Sequence, residues 1–154
     1  MTGTGTGGTI VRAAVVGTVA FAATATLAAN VASADVVALA VALGLFLAGS
    51  MAFVGAYVAA VGRSRREEID LAGLFFLSGS APRRVRRILL ACLAAQVVAA
   101  FATAAVRPNT SLAFGVLAPV YGLGLQALWA ARHGSFTARR PPSDRRRPGS
   151  TGAP

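Results

Sequence analysis

VVALAVALGLFLAGSMAFVGAYVAAV, residues 36–61, contains no Asp, Glu, Lys, Arg or His. The run is too long for a buried strand and lacks the polar face of a soluble amphipathic helix. A helix of this length reaches about 39 Å, enough for a hydrocarbon core of about 30 Å. Its backbone must satisfy its own hydrogen bonds in lipid, so the segment is read as a transmembrane helix.

Three further stretches read the same way: 13–31, 88–106 and 112–131, each free of Asp, Glu, Lys, Arg and His. Together they predict an all-α fold, a polytopic membrane bundle of four transmembrane helices within residues 13–131. Residues 1–12 read as a flexible N-terminus, beginning with the Gly/Thr-rich MTGTGTGGT. Residues 132–154 read as a disordered basic tail, rich in Pro and Arg. Composition agrees, with 55% hydrophobic and 13% charged residues and a mean hydropathy of +0.64. A soluble domain of this length needs a larger polar fraction to cover its surface.

The net charge of +10 would suit nucleic acid, but its placement argues against such a partner. All fifteen basic residues are Arg. Seven lie in loop 62–87 (Arg63, Arg65, Arg66, Arg83, Arg84, Arg86, Arg87) and six follow the last span. With Arg12, fourteen of the fifteen fall on one side of alternating spans. The positive-inside rule then puts both termini and the long loop in the cytoplasm of a bacterial inner membrane. Tyr57 and Trp129 fall near that face, where interfacial aromatic anchors belong. Ala32-Ser33-Ala34 offers a competing signal-peptidase site. The preceding apolar stretch is longer than a usual signal core, so the first span is expected to be retained.

Loop 62–87 is more than a linker. Ser64-Arg65-Arg66-Glu67 fits a capping box, followed by the apolar run Leu71–Leu77. The run is too short to span and predicts a short helix, lying in the interface or packed on the end of the bundle. Arg83, Arg84, Arg86 and Arg87 are candidate contacts for anionic headgroups at the cytoplasmic face of the bilayer.

Within the spans, small residues recur every four positions: Ala14, Thr18, Ala22, Thr26 and Asn30 in the first, and Ala40, Gly44, Ala48, Ala52, Ala56 and Ala60 in the second. Ala91, Ala95, Ala99 and Thr103 form such a row in the third. Such rows let helix backbones approach closely. Gln96, Tyr121 and Gln126 are candidate interhelical or cavity-lining polar groups. Pro119 cannot donate to the carbonyl of Gly115, so a kink is expected there. Cys92, alone, has no disulfide partner and reads as a small hydrophobe.

The runs Arg65-Arg66-Glu67-Glu68-Ile69-Asp70, Gly73-Leu74-Phe75-Phe76-Leu77 and Arg107-Pro108 are joined by Phe114-Gly115-Val116-Leu117 and Leu128-Trp129-Ala130-Ala131-Arg132-His133-Gly134. Over roughly residues 60–136 this pattern resembles small actinobacterial four-helix membrane proteins of unknown function. The resemblance implies an inner-membrane location and no assigned activity.

No catalytic residues, cofactor or metal ligands are expected. The chain has no carboxylate pair in a span, no nucleophile beside a base and no phosphate loop. His133 has no second ligand near it in sequence. A small oligomeric transporter or passive channel is the alternative. Small multidrug exporters, which four short helices resemble, rely on a membrane-embedded Glu, and no span here has an acid. By elimination the sequence favours an accessory or scaffolding subunit, with a membrane-protein partner or a second copy of itself. The orientation is directly testable. A reporter fused to the C-terminus is expected to be active only in the cytoplasm, and activity confined to the outside would overturn the assignment.

Overall fold

The computed structural model describes residues 6–65, 67–68, 70–106 and 111–138. Arg66, Arg107 and the tail from Arg139 onward lie outside the described residues, as do residues 1–5. Four helices are long and apolar enough to cross a membrane. They are α1 (Thr6–Asn30), α2 (Asp35–Ser64), α4 (Arg83–Val106) and a composite fourth span. The last is a 3-10 helix over Ser111–Leu117 that gives way to α5 (Pro119–His133). A short helix, α3 (Leu71–Phe75), lies in the long loop. Two-residue strands β1 (Glu67–Glu68) and β2 (Thr137–Ala138) pair antiparallel beside it.

Successive spans run antiparallel and gather the Arg-rich connections at one end. Gly7 at the start of α1 lies against Trp129 and His133 at the end of α5. Arg63, near the end of α2, reaches the carbonyls of Ala131 and Gly134.

α5 is the inner helix. Over half of its span is buried (56%), against 17% for α2. It packs on all three other spans and most extensively on α2. That crossing has no side chain between the backbones. A Cβ on Gly49 would strike the backbone of Tyr121 and Val120, and one on Gly124 would strike the carbonyl of Gly49. In lipid the solvent is as apolar as the helix surface, so close backbone packing does much of what water exclusion does in a soluble core.

The fourth span departs from the expected kinked α-helix. Pro119 occupies the first position of α5, where a missing N–H costs nothing. The chain before it winds more tightly, with Ala118 N–H donating to Gly115 O at 3.0 Å. The break at Gly115 and Pro119 is therefore a change of helix type. The 3-10 rise of about 2.0 Å per residue also lengthens the segment, which helps a short α5 to span.

Three further expectations change. α1 begins at Thr6, inside the stretch read as a flexible tail, because Gly7 and Ile10 pack on the bundle. Residues 132–138 are likewise ordered, as the end of α5 and β2. Ser64 is the last residue of α2 and donates to Val61 O, so it caps nothing. Asp70 caps α3 instead, its carboxylate accepting from Gly73 N–H at 2.8 Å.

α3 packs on the end of the bundle. Phe75 stacks on Phe53 with ring centroids 5.8 Å apart, and Leu74 and Phe75 lie against Ala56 and Ala131. Leu77 follows in a left-handed conformation (φ 51°) with its side chain fully buried. Leu71 and Phe76 point outward.

The glycines separate cleanly in a substitution test. Gly49→Ala or Gly124→Ala is expected to cost about 1–3 kcal/mol by overpacking. Gly44 has nothing within 4 Å of an added Cβ, so Gly44→Ala should be neutral or stabilising by about 0.5–1 kcal/mol. Thermal unfolding in detergent reads both, and equal loss from all three would refute the crossing.

Candidate functional site

The polar side chains within the spans converge on α5. Gln96 sits in the middle of α4 and is wholly buried. Its Nε2 donates to Thr18 Oγ1 at 2.7 Å, and the Thr18 hydroxyl donates onward to Ala14 O at 2.8 Å. Its Oε1 accepts from Gly122 N–H at 3.2 Å. One carboxamide thus links α1, α4 and α5.

The local geometry of α5 explains why Gly122 has a donor to offer. Its N–H would ordinarily take the carbonyl of Ala118, which here accepts from Tyr121 N–H at 2.9 Å in a 3-10 bond. Gly122 also needs to be glycine, since an added Cβ would lie 2.8 Å from Gln96 Oε1.

Tyr121 works beside this group. Its ring lies on Gly17, where a Cβ would collide with it, and its hydroxyl donates to Ala13 O at 2.8 Å. The ring on Gly17 and the backbone on Gly49 make Tyr121 the meeting point of α1, α2 and α5.

Gln126, one turn further along α5, is also wholly buried. Its Nε2 donates to Leu89 O at 3.0 Å, while its Oε1 has no hydrogen-bond partner among the described residues. Trp129 Nε1 is in the same position. Its ring is 6% exposed and faces Gly7 and His133, so Trp129 is a core residue and not a lipid-facing anchor. Tyr57 does face outward, at 65% exposure. Cys92 is buried in the main core cluster.

In the sequence Arg63 is one cation among fifteen. It is the organiser of the Arg-rich end. Its guanidinium pairs with Glu67 at 2.6 Å and donates to Ala131 O and Gly134 O at 3.0 and 2.9 Å. It also lies over the Phe136 ring, 5.5 Å from the centroid. A cation on the last carbonyls of α5 meets the negative end of that helix. The i,i+4 spacing of Arg63 and Glu67 was the visible signal.

Arg83, Arg84, Arg86 and Arg87 occupy the first turns of α4 and are exposed. Gly115 lies against Phe21, 3.5 Å from an added Cβ. Among the described residues no three His, Cys, Asp or Glu side chains come together. Thr18, Gln96, Tyr121 and Gln126 all take part in hydrogen bonds between helices. Comparison with protein-family models, curated proteins and solved structures found no match for the chain. What stands of the family resemblance is four apolar helices.

The two glutamines are expected to respond differently. Gln96→Leu orphans the Gly122 N–H and removes two bonds, for a cost of about 1–3 kcal/mol. Gln126→Met removes an unpaired buried acceptor along with a single bond, and should stay within about 1 kcal/mol of the parent. Comparing the thermal midpoints of the purified variants checks this. A larger loss at Gln126 would reverse the assignment.

Proposed function

We propose that this protein is a non-catalytic accessory or scaffolding subunit of a membrane assembly, resident in the bacterial inner membrane with both termini cytoplasmic. The observation that carries this reading is the outward face of α2. Ala40, Gly44 and Ala48 are exposed there, and Gly44 has open space over its Cα. Leu43, Leu47, Met51 and Val54 flank them, also exposed. Exposed apolar side chains are ordinary in lipid. Three small residues at four-residue spacing are not needed there, and they suit the close approach of another helix.

The inside of the bundle supports the same reading. A transporter or channel would need a wet path past Gln96, Tyr121 and Gln126. In the single chain both glutamines are fully buried, and Gln96 is bonded at both ends to its own bundle. The alternative of a homo-oligomeric transporter or passive channel draws no support from them. The orientation rests on the asymmetry of Arg, with Arg63, Arg65, Arg83, Arg84, Arg86, Arg87 and Arg132 near one end of the bundle.

The test is native mass and co-purification from mild detergent at endogenous expression, with Gly44→Ile as the variant. A reproducible foreign membrane protein is expected with the parent chain and lost with Gly44→Ile, whose own thermal midpoint should be unchanged. A clean homo-oligomer, or a partner retained undiminished by Gly44→Ile, would overturn the reading.

A further inference from the structure

α4 starts with a concentration of charge that nothing in the fold neutralises. Its first turn carries Arg83, Arg84 and Arg86, with Arg87 next, and contains no acidic residue. Among the described residues none of these guanidinium groups has an ion pair or hydrogen bond, in contrast to Arg63. Four like charges within five positions repel one another. They also sit at the end of the helix where the backbone dipole is already positive. A fold that gathers them there calls for an anion.

Three of the four line a single open space. Arg83, Arg86, Arg87 and Leu90 line a cleft of about 320 Å³. The spacing of i, i+3, i+4 and i+7 puts them on one helical face. Arg84 does not line this cleft. Guanidinium groups carried on three arginines beside one cleft suit the oxygens of a phosphate group.

The fourth wall identifies the source of the phosphate. Leu90 lies one turn deeper along α4, and the same face continues through Ala94 and Val98 to Phe101, all exposed. From Leu90 to Phe101 the helix advances about 16 Å, close to the depth of one leaflet of a hydrocarbon core of about 30 Å. A free phosphate would use the three arginines and leave that track idle. A phospholipid uses both.

We propose that Arg83, Arg86, Arg87 and Leu90 form a binding site for the phosphodiester of one anionic phospholipid, whose acyl chain lies along Ala94, Val98 and Phe101. The site depends on the chain being embedded in a membrane and not on the accessory-subunit reading, so the two can fail separately.

The test is native mass spectrometry of the full chain in nonionic detergent. Phosphatidylglycerol, phosphatidylcholine and inorganic phosphate are titrated in separate arms. Retention of phosphatidylglycerol over phosphatidylcholine is expected. At roughly tenfold for each charge-assisted contact removed, Arg86→Gln/Arg87→Gln should weaken it about 100-fold. Arg84→Gln should change it by no more than about twofold. All four side chains are exposed, and unchanged thermal midpoints will confirm intact folds. Equal loss from Arg84→Gln would reduce the effect to general surface charge and overturn the site. Equal retention of phosphatidylcholine would overturn the preference for an anionic lipid. Displacement of the lipid by millimolar phosphate alone would make the cleft a free-phosphate site and overturn the lipid assignment.

Discussion

Where α2 crosses α5, the backbone of Gly49 rests on the backbone of Tyr121 and Gly124, and every other feature of the bundle is arranged around that contact. In water two helices can be held by the area they remove from solvent. In lipid that term vanishes between apolar helices, and dispersion at close range must replace it. Dispersion falls off so steeply that a radial gap of about 1 Å forfeits a large part of it. Glycine on both sides is the direct solution. It also makes α5 the inner helix, packed on every other span and with the largest buried share of the four.

Once α5 is central, the polar groups follow. A carboxamide in hydrocarbon is costly unless its donor and acceptor both find partners. Gln96 finds them because the change from 3-10 to α winding at Pro119 frees a backbone N–H at Gly122. The proline expected to kink the span thus supplies half of an interhelical bond. Gln126 lies beyond that irregularity, among helix backbone already paired, and leaves Oε1 without a partner among the described residues. The difference between two chemically identical side chains is set by the backbone opposite each.

The four spans could be read from the sequence because a run of membrane length with no ionisable residue is hard to place anywhere but across a bilayer. The rows of small residues could not be read so directly. In a helix of 3.6 residues per turn, steps of four residues advance the row by about 40° each time. The α2 row therefore starts exposed at Ala40, Gly44 and Ala48 and becomes buried by Ala56. In α4 the buried set is Leu89, Cys92, Gln96, Ala100 and Thr103, with steps of three or four. Ala91 and Ala95, members of the expected row, face outward. Trp129 misled for a related reason. Depth in the membrane can be inferred from position along a span, but orientation around it depends on which helix turns out to be central.

The same limit applies to charge. Fourteen Arg look equivalent when counted for orientation, and among the described residues the structure divides them by use. Arg63 has Glu67 four residues on and two carbonyl ends of α5 within reach, so its charge is consumed in closing the bundle. Arg83, Arg86 and Arg87 have neither, although Glu67 and Asp70 belong to the same loop. Asp70 caps α3 and Glu67 is held by Arg63. Both of these carboxylates are thereby committed to shaping the loop, and the start of α4 is left positive. The charge that closes the bundle is carried by Arg63, and the charge left without a partner among the described residues by Arg83, Arg86 and Arg87. Only the latter remains available to an anion from outside the fold.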